Sequence, residues 1–270
     1  MTGRSLHDAL LRALTDGELR RRLLQGDPEV ARALGSGEAA ALARSDRDRL
    51  VRMARFMSRH FYRERIVRLF RYGRALALTR GRDPLAVLES PAFRGLLDSV
   101  VLGSPGSAEA VARLVEERLT ADLTEWPFAP DLVRYEGTLF RVEAGPRHWH
   151  APDGARDGLP MRSPHARIVD LEWDLTPLMS AIRRGDPAPP VLPRHRTRFL
   201  VALSPHGRVS TVRCPEPLSR FLEVLDGSRD PAEAAAAAGL READATTLVT
   251  QLTDLGAVEW RLTFPTKEER

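Results

Sequence analysis

The stretch that decides the fold is Phe199-Leu200-Val201-Ala202-Leu203-Ser204-Pro205-His206-Gly207-Arg208-Val209-Ser210-Thr211-Val212-Arg213. Its first five residues are strand formers. Ser204-Pro205-His206-Gly207 is turn chemistry, and 209–212 returns as a second strand, so the stretch reads as a hairpin. Three short helices follow at 217–225, 231–238 and 243–255. Asp226-Gly227 ends the first, Gly239 the second and Gly256 the third, because glycine accepts the left-handed geometry of a helix end without strain. Residues 258–264 then return as an extended segment. Upstream, 167–173 alternates loosely through Ile168, Val169, Leu171 and Trp173 as a strand, and 176–184 reads as a short helix. Gly185-Asp186-Pro187-Ala188-Pro189-Pro190 breaks the chain between them and the hairpin. A hairpin with three helices is a winged-helix-like layout.

Further upstream the character changes. Ser5-Leu6-His7-Asp8 is similar to a capping box, and Leu6, Leu10 and Leu14 recur at helical spacing. Asp46 and Asp48 open a long periodic stretch with Leu50, Met53, Met57, Phe61, Val67 and Phe70 as its apolar positions, stopped by Gly81-Arg82-Asp83-Pro84. Helices are also expected at 92–102, 108–123 and 130–142, the last with Pro130 in its first turn. Residues 146–165 are punctuated by Gly and Pro too densely for regular structure and read as a linker. The expected organisation is therefore α+β: an all-α helical domain at 1–145, the linker at 146–165, and a winged-helix-like domain at 166–270.

Composition narrows the function. In 270 residues, 43% hydrophobic and 29% charged is a globular balance. The single cysteine, Cys214, excludes an intramolecular disulfide and any multi-cysteine metal cage. Uncharged runs fall short of a membrane span, and the start of the chain lacks a signal-peptide apolar region, so a cytoplasmic protein without membrane contact is expected. The net charge is +4, yet Lys267 is the only lysine, so 40 of 41 cations are arginine. A GC-rich genome produces that skew without any binding role, so the position of the charge matters more than its sum.

The stretch 199–260 resembles the PqqD-like RiPP recognition element, a small winged-helix fold that holds the leader of a ribosomally made precursor peptide. The resemblance is carried by the hairpin from Leu203 to Val209, by Leu225-Asp226-Gly227-Ser228, and by Pro231-Ala232-Glu233-Ala234. The series Leu248-Val249, Leu252 and Leu255-Gly256-Ala257-Val258 completes it. The wider chain resembles partner proteins of multinuclear non-haem iron-dependent oxidative enzymes from peptide natural-product pathways. Here the matching stretches are Asp131-Leu132-Val133-Arg134-Tyr135-Glu136, Ala166-Arg167-Ile168-Val169-Asp170-Leu171 and Asp174-Leu175-Thr176-Pro177-Leu178. The N-terminal 120 residues match only in helical character and length. The resemblance implies a non-catalytic subunit without a cofactor of its own, forming a heterodimer with the iron enzyme. The iron is expected in that partner, in enzymes that commonly oxidise cysteine residues of the peptide.

A hairpin edge strand offers unpaired N–H and C=O groups, and an extended peptide completes such a ladder by strand addition. The implied groove lies between Arg208, Val209, Ser210, Thr211, Val212 and Arg213 on one side and Asp244, Thr247, Leu248 and Gln251 on the other. The competing possibility is that the linker, or the terminal segment near Trp260, covers that edge. This family has often been labelled DNA-binding, but charge argues otherwise. Residues 195–264 hold 8 arginines against 9 acids, and 243–255 contains no arginine. Phosphate contacts need cations there.

Residues 44–82, by contrast, hold 13 arginines against three acids. Arg52, Arg55, Arg59 and Arg63 are candidates for meeting an acidic partner surface. A solvated helix face is the plain alternative, and a transcription regulator binding DNA through this helix is another. His148-Trp149-His150 is a candidate partner contact with Trp149 as its anchor. In extended backbone the two imidazoles share a side, so a metal-dependent enzyme is the remaining alternative. The flanking Gly and Pro hold no ligand rigid, and no metal is assigned. Cys214 reads as a buried thiol.

Overall fold

The computed structural model describes residues 6–44, 46–145, 158–186 and 191–262. The protein is α+β and divides into two compact units, Met1–Ala129 and Pro130–Arg270. Among the described residues no helix is long and apolar enough to cross a membrane.

The first unit is helical: α1 Leu6–Thr15, α2 Gly17–Leu24, α3 Pro28–Leu34, α4 Ser36–Ala43, α5 Arg47–Leu69, α6 Arg71–Leu78, a 3-10 turn Pro84–Glu89, α7 Pro91–Leu96 and α8 Pro105–Asp122. Side-chain caps start most of these helices. Asp16, Asp27, Asp46 and Ser104 each accept a backbone N–H in the first turn that follows, satisfying donors the helix cannot reach. Ser5 and the capping box expected there lie outside the described residues.

The small α1–α4 core gathers Ala9, Ala13, Leu19, Leu23, Val30, Leu34, Ala39 and Leu42. The α1–α2 corner is pinned to the segment before α8. Gly17 N–H donates to Val100 O at 2.7 Å, and Leu102 N–H to Thr15 O at 2.8 Å. A Cβ on Gly17 would stand 2.7 Å from Asp98 O, so only glycine permits this approach. Arg20, 3% exposed, satisfies its buried guanidinium on the carbonyls of Ala13 and Leu97, each at 3.1 Å. A buried cation needs such partners.

Three sequence expectations are corrected here. The helix expected from Asp46 to Gly81 is two helices. Phe70 leaves helical geometry (φ −101°, ψ 37°) with its ring fully buried, and the chain turns there into α6. The apolar face of α5 is also different. Leu50, Ala54, Ser58, Tyr62, Ile66 and Leu69 are buried, while Met53 and Val67 are exposed. Small Ala54 and Ser58 sit on the buried face, which a count of large apolar residues misses. Finally, the 92–102 helix shrinks to α7, because residues 97–100 close turns that pack Leu97 and Val100 inward.

The second unit comprises α9 Ala129–Glu143, β1 Gly158–Arg162, β2 Arg167–Leu171, α10 Thr176–Arg184, β3 Thr197–Leu203, β4 Val209–Arg213, α11 Glu216–Val224, α12 Pro231–Ala238, α13 Glu242–Asp254 and β5 Val258–Leu262. One antiparallel sheet has the order β2-β3-β4, and β1 pairs with β5 in a second. The register sets Leu200 opposite both Ile168 and Val212. Strand alternation then gives the sheet two faces. Leu200, Ala202, Ile168 and Val212 pack with Phe221 and Leu222 of α11, Ala234 and Ala235 of α12, and Val249 and Leu252 of α13. On the other face, Phe199 meets Tyr135 of α9 with ring centroids 5.5 Å apart.

This placement of α9 moves the boundary expected at 145. The helix belongs with the sheet because its carboxylate Asp131, 3% exposed, accepts the backbone N–H of Glu172 at 2.5 Å and of Trp173 at 2.9 Å. Arg134 donates to Asp170 O at 2.9 Å beside them. The two stretches around 131–136 and 166–171, separate in sequence, are thus joined. Asp131→Ala would leave two N–H groups without their acceptor and should cost about 2–4 kcal/mol. Asp131→Asn, which keeps an acceptor oxygen, should cost about 1 kcal/mol. Urea unfolding of the two variants checks the difference.

The linker expected at 146–165 is likewise shorter, since 158–162 forms β1. Pro160 and Met161 face Trp260 and Glu259 in register. Arg162 N–H donates to Leu225 O, and Gly227 N–H to Pro160 O, on the other side of the strand. Proline sits in the strand without breaking it because β1 is short and β5 supplies the ladder around it.

Candidate functional site

The outer edge of β4 is built by the hairpin. Ser204 N–H donates to Arg208 O at 2.9 Å and Cys214 N–H to Arg198 O at 2.8 Å. These two bonds fix the phase of the ladder, because antiparallel pairs alternate between bonded and non-bonded. Arg208, Ser210, Val212 and Cys214 therefore direct their backbone groups to β3. Val209, Thr211 and Arg213 direct theirs away from it, along the edge. Among the described residues no strand pairs with that edge. Of the two segments named as competitors for it, 158–162 and 258–262 pair with each other as β1 and β5; residues 146–157 and 263–270 lie outside the described residues.

Along the strand Val209, Ser210 and Val212 are half-buried, and Thr211 and Arg213 are exposed. Thr211 Oγ1 accepts from Tyr135 Oη at 3.3 Å. Arg213 donates to Asp174 Oδ2 at 2.9 Å and to Thr176 Oγ1 at 3.0 Å, which ties the strand end to the start of α10. Arg208 is exposed beside the turn.

The helical half of the expected groove lies elsewhere. Asp244, Thr247, Leu248 and Gln251 line one groove of about 470 Å³, but its other wall is α12 and the turn after it, through Ala235, Gly239, Leu240 and Arg241, rather than β4. The Gly239 turn (φ +73°) brings α12 back along α13 and so opens this groove. Leu248 and Val212 share only the core beneath. Asp244 is ion-paired to Arg241 at 2.8 Å, and α13 carries no arginine, so its surface offers phosphate nothing.

A second cleft of about 470 Å³, absent from the sequence reading, lies at the end of the sheet. Asp170, His195, Arg196, Arg198, Arg213 and Glu216 line it, with Cys214 in its wall. Arg198 is its hub, bonded to Asp170 at 2.8 Å and to Glu216 at 2.7 Å. The guanidinium holds both carboxyls below the usual range. Their contribution to stability is therefore complete above the ordinary carboxylate pKa of about 4 and is lost as the pH falls through the depressed folded values. Alternating residues 196, 198 and 170 is a weak sequence signal for such a cluster, because strand register decides which charges meet.

Burial pushes the Cys214 thiol up to about 11, and its side chain is 2% exposed. The thiolate is the reactive form, so the native thiol should alkylate at pH 8 at least ~100-fold more slowly than in denaturant. Iodoacetamide labelling followed by mass measurement checks this.

Of the arginines proposed to meet a partner, Arg55 bonds Asp98 of its own unit at 3.0 Å and Arg59 lies 3.4 Å from Glu89. Arg52 and Arg63 are exposed and carry no ion pair among the described residues. His148, Trp149 and His150 lie outside the described residues.

A scan against protein-family models finds no match for this chain, and a comparison with curated proteins finds none either.

Proposed function

We propose that this chain is a non-catalytic partner subunit that binds a ribosomal precursor peptide and presents it to a multinuclear non-haem iron-dependent oxidative enzyme in the cytoplasm. The observation that carries the proposal is the outer edge of β4, with which no strand pairs among the described residues, the backbone of Val209, Thr211 and Arg213 turned outward and β1 and β5 engaged with each other. The three-stranded sheet β2-β3-β4, with α11, α12 and α13 following its hairpin, supports a PqqD-like, winged-helix-like recognition element in the second unit. In that element the peptide adds as a strand on β4, with main-chain hydrogen bonds to Val209, Thr211 and Arg213.

The first unit, Met1–Ala129, would dock on the enzyme, which holds the iron and performs the oxidation. Tethering raises the local concentration of the peptide at the metal site to the ~mM range. A leader affinity of ~1 μM, about −8 kcal/mol, is then sufficient. DNA recognition through the third helix is disfavoured by the absence of arginine along Glu242–Asp254.

Co-expression with an iron-dependent oxidative enzyme encoded beside this chain, followed by purification through a tag on this chain, tests the proposal. The expected result is a stable heterodimer with iron in the partner subunit, to which the co-encoded precursor binds through its leader. Recovery of this chain alone, with no retained enzyme and no leader binding, would overturn it.

A further inference from the structure

The outward face of α5 has an apolar centre. Phe56 is 72% exposed, Met53 44% and Val67 39%. Together with His60, which stacks on Phe56 at a ring separation of 6.4 Å, they occupy positions 53, 56, 60 and 67. Spacings of three, four and seven put all four on one side of a helix. The opposite side, from Leu50 through Ile66, is buried, so this face is not a misassigned core stripe. Arg49, Arg52 and Arg63 are exposed around it, and Glu64, on the same side of the helix, lies 3.2 Å from His60 Nε2. The neighbouring Arg55 and Arg59 are turned back to Asp98 and Glu89.

An apolar centre with an arginine rim is the anatomy of a protein interface, where Phe, Met and Arg are enriched. Typical nucleic-acid faces are more polar and more densely cationic than this one. A second copy of the chain is disfavoured, since two such arginine rims repel. We infer that Met53, Phe56 and Val67, rimmed by Arg52 and Arg63, form the docking surface for a partner protein with an acidic surface around an apolar pocket that takes Phe56. The inference rests on the partner-subunit reading, and under it that partner is the iron enzyme. It replaces a purely electrostatic stripe of four arginines with an apolar anchor flanked by Arg52 and Arg63, which carry no ion pair among the described residues.

The test uses the full-length chain co-expressed with the enzyme, comparing wild type, Phe56→Ser, the double variant Arg52→Glu/Arg63→Glu, and Arg55→Gln as a control outside the rim. Phe56 is exposed, so Phe56→Ser should unfold at the wild-type temperature, verified by circular dichroism. Enzyme affinity should fall on the order of 30-fold for Phe56→Ser, as for an interface anchor. For the double variant it should fall with a weakened salt dependence, and for Arg55→Gln it should hold. If wild type and all variants retain the enzyme equally, the docking face is overturned while the partner-subunit reading stands. If wild type retains no enzyme, both fall. Binding of the chain to a random-sequence DNA duplex that the double variant loses and Phe56→Ser keeps would overturn the inference in favour of nucleic acid.

Discussion

Gly256→Ala should lower the stability of the second unit by about 3 kcal/mol or more. Gly256 follows α13 with φ +78° and turns the chain into β5. An alanine there meets the left-handed penalty of about 1–2 kcal/mol. It also meets a wall: an added Cβ would stand 1.9 Å from Leu203 O, 2.7 Å from its carbonyl carbon and 3.1 Å from Ser204 Cα. These are backbone atoms at the end of β3, where Ser204 begins the hairpin turn, so no side chain can swing aside. Either the turn or β3 must move, at the further cost of about 1–3 kcal/mol that overpacking brings. Against a typical total of 5–15 kcal/mol, the loss is severe. Urea denaturation reads it as a lower midpoint. A change below 1 kcal/mol would mean that the α13–β5 turn does not rest on Leu203.

The second large effect is on binding. Thr211→Pro should leave the unit folded and weaken leader binding at least tenfold. Position 211 points its N–H away from β3, so proline removes a donor from the edge and not from the ladder, the one strand setting in which proline is tolerated. An added peptide strand loses a main-chain hydrogen bond at the centre of β4 and meets the ring besides. The variant also forfeits the Tyr135–Thr211 contact at 3.3 Å, worth no more than about 1 kcal/mol. Thr211→Val separates the two, because it drops the hydroxyl and retains the N–H, and should bind the leader as wild type does. Fluorescence anisotropy with a labelled leader peptide measures both variants. Equal affinity of Thr211→Pro and wild type would place the peptide elsewhere than on β4.

Much of the second unit was legible from local chemistry. The hairpin follows from Ser204-Pro205-His206-Gly207 between two β-forming runs, and α12 from Asp230 and Glu233, which form a reciprocal capping box before five alanines. Helix α10 matches its expected bounds because Pro177 and Gly185 mark its two ends. The edge residues of the candidate site were legible for the same reason, since strand alternation is a local property. What pairs with a strand, however, is a question of distant partners. Nothing near 158–162 announces β1; its ladder is written at 258–262, about a hundred residues on.

The sequence by itself determined the α+β class, the hairpin with the three helices that follow it, and the separation of an arginine-rich helical region from a charge-balanced one. Caps, turn residues and periodicity act within a few residues, so they can be read without a fold. The tertiary structure alone decided that α9 joins the sheet through Asp131, that the α13 groove is walled by α12, and that Arg55 and Arg59 are taken by Asp98 and Glu89. It also decided that Phe56, and not the arginines alone, dominates the outward face of α5. Each of these depends on which distant backbone or charge arrives within hydrogen-bonding or packing distance, and that is set by burial of the core as a whole rather than by any local preference.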